Sequence, residues 1–148
     1  GKRFGTLAHG VLAEAPWGAD AATITSIARA LARLEDAPAA EVDAAVAAAI
    51  AALAHPLLAR AAQAAARGEC RREAPITLAL EDGAIVDGTV DLAFREPGPG
   101  GATWTVVDFK TDADLGPARA RYEAQVRLYA RAIEAATGER ARAVLLSV

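Results

Sequence analysis

Asp108 and Lys110 lie two residues apart in the apolar run 106–111, Val-Val-Asp-Phe-Lys-Thr, and Asp91 falls at the close of another apolar run, 85–92. Side chains two apart on a strand share a face, so the Asp108 carboxylate and the Lys110 ammonium point the same way. Charged groups among apolar neighbours are costly to bury unless something compensates them. If the two strands are neighbours, the Asp91 carboxylate reaches Asp108. Two carboxylates and one lysine converging on one spot suit a hard divalent cation. They equally suit phosphodiester hydrolysis, in which a metal activates the attacking water and a cation offsets developing charge.

The lysine stands out by composition. The chain has two lysines, Lys2 and Lys110, against fourteen arginines. At an ordinary solvated position arginine is the expected choice here. A compact ammonium is not interchangeable with a planar guanidinium beside a phosphate, so Lys110 reads as chemical; the alternative is a surface charge.

The elements that must position these residues follow from periodicity and breakers. A helix over 4–15 ends at Pro16 and Gly18, and Asp20 caps a second in which Ile24, Ile27, Leu31 and Leu34 recur at helical spacing. A third helix, about 41–54, carries Val42, Val46, Ile50 and Leu53 on one face; His55-Pro56 breaks it, and a fourth over 57–67 closes at Gly68. The period then switches. Strands are expected over 73–80 and 84–94, joined by a hairpin at Glu81-Asp82-Gly83. In the second strand Val86, Val90, Leu92 and Phe94 share one face, and Asp87, Thr89 and Asp91 the other. After the Pro/Gly-rich loop 97–101 comes a third strand over 103–111, a helix from Pro117 to Thr137, and a last strand from about Arg142. A meander followed by a helical crossover predicts an α/β (α+β mixed) fold, with a mixed sheet of about four strands flanked by helices. Residues 1–69 form its helical part and 70–148 its sheet core.

At 148 residues this is one domain's worth of chain. The 53% hydrophobic fraction overstates the core, since 41 residues are alanine. Arginines and acids interrupt every apolar stretch, so no membrane span is expected, and no signal peptide is visible. The single Cys70 excludes an intrachain disulfide and any four-cysteine metal site. Arg67, Arg71 and Arg72 around it could lower its pKa, but a bland reduced cysteine in a reducing cytoplasm is the better reading. The chain lacks methionine and ends inside an apolar run, so we expect a domain excised from a longer polypeptide.

Net charge is −3, unhelpful for an autonomous nucleic-acid binder. It is also uneven: residues 1–114 hold ten Lys/Arg and sixteen Asp/Glu, and residues 115–148 hold six Arg and three Glu. Arg119, Arg121, Arg127 and Arg131 share the last helix. They form either a DNA-facing edge or a solvated face with i, i+4 pairs such as Glu123 to Arg127.

Asp91 followed by Asp108-x-Lys110 on the next strand resembles the PD-(D/E)xK nuclease superfamily, and further matches point to its RecB-type branch. Gly88-Thr-Val-Asp91-Leu resembles that branch's Gly-x-Ile-Asp-Leu strand, and Val107-Asp108-Phe109-Lys110-Thr111 its Val-Asp-Tyr-Lys-Thr strand. Gln125-x-x-x-Tyr129, preceded by Tyr122, resembles its Gln-x-x-x-Tyr helix. Gly5-Thr-Leu-Ala-His9-x-x-Leu12 resembles its histidine helix, and Arg72-Glu73-Ala74-Pro75 its Arg-Glu-x-Pro. The likeness spans essentially the whole chain and is greatest to the C-terminal nuclease domain of RecB/AddA-type helicase–nucleases.

That resemblance implies a restriction-endonuclease-like core, with His9, Asp91, Asp108 and the Phe109 carbonyl holding Mg²⁺ or Mn²⁺. It implies that Lys110 positions or activates the water and stabilises the attacked phosphate. Gln125 and Tyr129 would orient the site or contact the DNA strand. Glu73 is either an accessory acid or a surface one, and Tyr122 and Tyr129 by themselves would read as core aromatics. The single cysteine departs from the AddB-like branch, so no iron–sulfur cluster is expected. The implied partners are DNA fed as a single strand by a helicase motor, the parent helicase domains and a second subunit, in double-strand break repair. The alternatives are an inactive nuclease fold kept for DNA binding or scaffolding, and an unrelated metal-dependent hydrolase. His55 and Asp87 match nothing and are read as structural and solvated.

Overall fold

The computed structural model describes residues 1–111, 116 and 118–148. Four helices, α1 (Lys2–Glu14), α2 (Ala21–Glu35), α3 (Ala39–Leu53) and α4 (Pro56–Ala66), precede strands β1 (Cys70–Ala79), β2 (Ile85–Glu96) and β3 (Thr103–Lys110). Helix α5 (Arg119–Thr137) and strand β4 (Arg140–Ser147) complete the chain. Pro117, the expected start of the last helix, lies outside the described residues. The strand order is β1-β2-β3-β4, antiparallel except for the parallel pair β3–β4 that α5 connects. The expected mixed four-stranded sheet is the one found.

Local chemistry explains the helix ends. The Asp20 carboxylate accepts from the Thr23 amide at 2.8 Å and caps α2. His55 caps α4, its Nδ1 accepting from the Leu57 amide at 3.1 Å, with Pro56 at the first helical position. Its structural assignment stands. Gly138 closes α5 with a left-handed φ of 71°. No helix among the described residues is long and apolar enough by itself to cross a bilayer.

Two apolar clusters lie on the two sides of the sheet. One joins α1–α4 to Leu92, Phe94, Val107 and Phe109. The other joins α5, through Val126, Tyr129 and Ile133, to Val90, Ala93 and Val106. The helical core departs from the sequence expectation. Buried positions on α2 are Ile24, Ala28 and Ala32, and on α3 Val42, Ala45, Ala49 and Ala52. Leu34 is 82% exposed and Ile50 39%. Alanine carries no side chain beyond Cβ, so helices that meet through alanine stripes approach closely, and the larger aliphatics flank the contact. The alanines therefore do not merely inflate the hydrophobic fraction; many of them are the core.

Strand β2 differs too. Val90 packs on the α5 side, whereas Leu92 and Phe94 pack on the α1 side. Regular alternation would place all three together, as the sequence reading had it. The change of face occurs at Asp91, and β1 changes with it: Glu73 has a positive φ of 47°. The β1–β2 ladder runs through Arg72↔Leu92 and Ala74↔Val90 but skips the position between them. Both strands are crimped at one level of the sheet.

Candidate active site at the crimp

The crimp exposes Asp91 to β3. The β2–β3 ladder stops at Leu92↔Val107, so the next step along the register pairs Asp91 with Asp108. In place of a ladder bond, the Phe109 amide donates to Asp91 Oδ2 at 2.7 Å. The other carboxylate oxygen, Oδ1, faces His9 Nδ1 of α1 at 3.4 Å. The His9 ring also stands edge-on to Phe109, with centroids 6.0 Å apart. Burial pulls the His9 pKa down, but the hydrogen bond and charge of Asp91 outweigh it and hold the imidazole above its ordinary value.

Asp108 is buried, at 5% exposure. Its Oδ2 lies 2.6 Å from Lys110 Nζ, yet this buried oxygen has no partner in hydrogen-bond geometry. The contact is an ion pair by distance and charge. Burial raises the Asp108 pKa, the negative Asp91 adds to it, and Lys110 opposes both. Lys110 Nζ also donates to the Phe109 carbonyl at 3.2 Å and lies 4.8 Å from the centre of the Tyr122 ring.

His9 and Lys110 line a cleft of about 670 Å³ between α1 and the start of α5, with Lys2, Thr6, Glu73 and Tyr122 among others. Glu73 reaches it because its left-handed backbone turns the strand there. Partial burial and then the charge of Asp91 raise its pKa.

The structure thus brings His9, Asp91, Asp108, Phe109, Lys110, Glu73 and Tyr122 to one place. Tyr129 stands apart from the cleft. It is 6% exposed, belongs to the α5 core, and its hydroxyl accepts from Gln125 Nε2 at 2.6 Å. Buried in that core, the Tyr129 ring packs α5 on the sheet, where it does not meet a DNA strand. Asp87 accepts from Thr77 Oγ1 at the surface, in keeping with a solvated acid. Cys70 is half-buried and burial pushes its thiol pKa up, against the lowering by Arg72 and Arg71, so the bland reading stands. On α5, Glu123 pairs with both Arg119 and Arg127, which realises the i, i+4 reading.

Two residues that the sequence reading quoted as parts of motifs, with no role at the site, support it. Arg72 stacks on the Trp17 ring at 3.8 Å, and its Nη1 donates to the carbonyls of Ala13 and Ala15 at the end of α1. It ties the histidine helix to the crimped strand. Gly88 seats Tyr129: a Cβ there would lie 2.6 Å from the tyrosine hydroxyl. Glycine inside a strand was the available signal.

Two carboxylates, an imidazole and a carbonyl are hard or borderline donors without a thiolate, and the buried Asp108 carboxylate already draws a positive charge, the Lys110 ammonium at 2.6 Å. The residues fit a hard divalent ion. They are not a preformed cage, since among the described residues no three His, Cys, Asp or Glu side chains converge closely enough to make one.

A family model of the PD-(D/E)XK nuclease superfamily matches residues 1–148, and the chain belongs to that superfamily. The four-stranded mixed sheet flanked by five helices is consistent with its restriction-endonuclease-like fold. No curated protein sequence matches the chain significantly. Nuclease chemistry is what membership suggests, divalent metals are typical of the superfamily, and DNA is its implied substrate.

Proposed function

We propose that this protein is a Mg²⁺- or Mn²⁺-dependent deoxyribonuclease, acting as an exonuclease in the nuclease module of a cytoplasmic helicase–nuclease that processes broken DNA. The observation that carries the hydrolytic reading is the gathering of His9, Asp91, Asp108 and Lys110 at one crimp, where the buried Asp108 carboxylate meets the Lys110 ammonium. The helicase-associated part rests on the likeness of five sequence segments to the RecB/AddA-type domains. It carries with it a single strand delivered by the motor and a second subunit.

Bound at these donors, the cation would supply Lewis-acid polarisation of the phosphate and a lowered pKa for the attacking water. The chain's own groups have separate tasks. Asp91 and Asp108, with His9 and the Phe109 carbonyl, would hold the cation. Lys110 would set a point charge against the non-bridging phosphate oxygens as water adds to phosphorus and the P–O bond to the leaving nucleotide breaks. Glu73, at the cleft wall, is an accessory site for the proton that the water gives up. Tyr122 lines the path of the strand, and Gln125 with Tyr129 fixes α5.

One observation favours a second reading. His9 engages Asp91 and Lys110 engages Asp108, while among the described residues no three His, Cys, Asp or Glu side chains form a cage, as would suit an inactive fold kept for binding DNA. Linear single-stranded DNA labelled at one end, incubated with the protein with and without Mn²⁺, separates the two. Metal-dependent release of short labelled products supports the exonuclease. DNA that is bound but intact in Mn²⁺ supports the inactive module.

A further inference from the structure

We propose that Lys110 occupies the cation's place in the metal-free protein, and that the Tyr122 ring is the seat that keeps its ammonium in the site once a divalent ion enters. The inference rests on the metal-dependent reading above. Its basis is a coincidence of partners. The two oxygens that Nζ contacts, Asp108 Oδ2 at 2.6 Å and the Phe109 carbonyl at 3.2 Å, are two of the atoms assigned to the cation. An ammonium and a divalent ion drawn to the same oxygens compete for them, because like charges so close repel strongly at low local dielectric.

Lys110 is therefore a built-in counter-ion. Its side chain is 14% exposed, and without it the Asp108 carboxylate, itself 7% exposed, would be buried unpaired. Entry of the cation at these oxygens would displace it. The backbone stays fixed in β3, but a lysine stem turns freely. A receiving surface is at hand in the Tyr122 face, already 4.8 Å from Nζ and within the range at which an ammonium is held by an aromatic quadrupole. Tyr122 lines the same cleft. The displaced charge would then stay beside the scissile phosphate instead of escaping to solvent. Tyr122 is in this sense a positioning residue acting through Lys110.

The test is calorimetric titration of Mn²⁺ into wild type, Lys110→Met, Tyr122→Leu and the double variant, with Lys2→Met as a control for charge at the cleft rim. Removing the competitor should tighten Mn²⁺ binding by about tenfold or more, and Lys2→Met should change it far less. Tyr122→Leu should weaken Mn²⁺ binding by about threefold while Lys110 is present, and have no effect in the Lys110→Met background. With two lysines in the chain, the Lys110 Cε resonance of isotope-labelled protein is readily assigned, and it should move towards ring-current values on Ca²⁺ addition. Lys110→Gln repeats the titration should Lys110→Met fail to fold by circular dichroism. Equal or weaker Mn²⁺ binding by the Lys110 variants, with binding still abolished by Asp108→Ala, overturns the displacement proposal alone. Absence of Mn²⁺ binding from wild type and Lys110 variants alike overturns it together with the metal-dependent reading.

Discussion

Gly88 and Lys110 mark the two kinds of constraint that act on single residues here. At Gly88 the constraint is steric: an added methyl would meet the Tyr129 hydroxyl oxygen, Cε1 and Cζ at 2.6, 2.7 and 2.8 Å. Gly88→Ala should cost about 1–3 kcal/mol of stability in chemical denaturation, as overpacking does. Tyr129→Phe should cost only about 1 kcal/mol, because it removes one hydrogen bond, that from Gln125, and keeps the ring. A Gly88→Ala protein as stable as wild type would show that α5 does not rest on this strand as described. At Lys110 the constraint is chemical. Lys110→Ala should fold and still bind DNA yet lose most cleavage, and Lys110→Arg should restore little, since a rigid fork cannot reproduce a point charge beside the attacked phosphate. Full cleavage by Lys110→Arg would contradict the role. At this scale much was legible: Asp91, Asp108 and Lys110 declare themselves as charges in apolar runs, and His9 through its motif. Tyr129 was half legible: taken alone it reads as a core aromatic, which is where the structure places it, and only its motif with Gln125 drew it towards the site.

The elements that matter most are α1 and the crimped pair β1–β2. Helix α1 brings His9 to Asp91, and its last carbonyls are held by a guanidinium sandwiched between them and Trp17. Arg72→Met keeps the stem but leaves the carbonyls of Ala13 and Ala15 without their donor. We expect a loss of about 1–3 kcal/mol and, at temperatures where the variant is fully folded, weaker Mn²⁺ binding through a misplaced His9. Stability loss with unchanged metal affinity would reduce Arg72 to a purely structural clamp. Element order and approximate limits could be read from the sequence, because capping residues, Pro/Gly breakers and a change of period are local signals. The crimp could not. A left-handed Glu73 is a non-glycine exception, and period-2 patterning assumes an uninterrupted strand, so Val90 was placed on the wrong side of the sheet. The alanine stripes of α2 and α3 were hidden for another reason: a residue so abundant gives no contrast by which to pick out a buried face.

Over the whole molecule, charge sets both stability and access to substrate. Arg95 bridges Glu69 and Glu139, and Arg60 holds Glu96, at 2.6–2.9 Å. Hydrogen bonds from Arg67 and Arg95 to Glu69, from Arg60 to Glu96 and from Arg95 to Glu139 keep all three carboxyls below the ordinary 4.5. A depressed folded-state pKa contributes stability above the unfolded value and loses it as pH falls through the folded one. The melting-temperature gap between wild type and Arg95→Met should therefore be widest near neutral pH, shrink below about pH 4.5, and narrow in high salt as exposed pairs are screened. A gap independent of pH would remove these pairs from the account. For DNA, a net charge of −3 with six arginines and three glutamates over residues 115–148 implies weak, steeply salt-dependent binding by the protein alone. Glu123 already engages Arg119 and Arg127, while Arg121 and Arg131 have no ion-pair partner among the described residues. Changing Arg127 and Arg131 to Glu should weaken DNA binding further, as read by fluorescence anisotropy at two salt concentrations; unchanged, salt-insensitive affinity would move the strand's path off α5. The net charge and its uneven distribution were legible from composition, whereas the Arg95 network was not, because its partners are distant in sequence and meet only across the folded sheet.

The central claim is that the crimp at Asp91 and Asp108 is a metal-dependent hydrolytic centre. Its most direct test is single-turnover cleavage of a linear DNA strand by wild type and by Asp108→Asn, which keeps the shape and removes the charge, across a Mn²⁺ titration. Wild type should cleave with a saturable dependence on Mn²⁺, and Asp108→Asn, folded to the same degree, should fall by about 10²-fold or more at every concentration. Cleavage by Asp108→Asn at the wild-type rate, or wild-type cleavage indifferent to Mn²⁺ and to chelator, would contradict it.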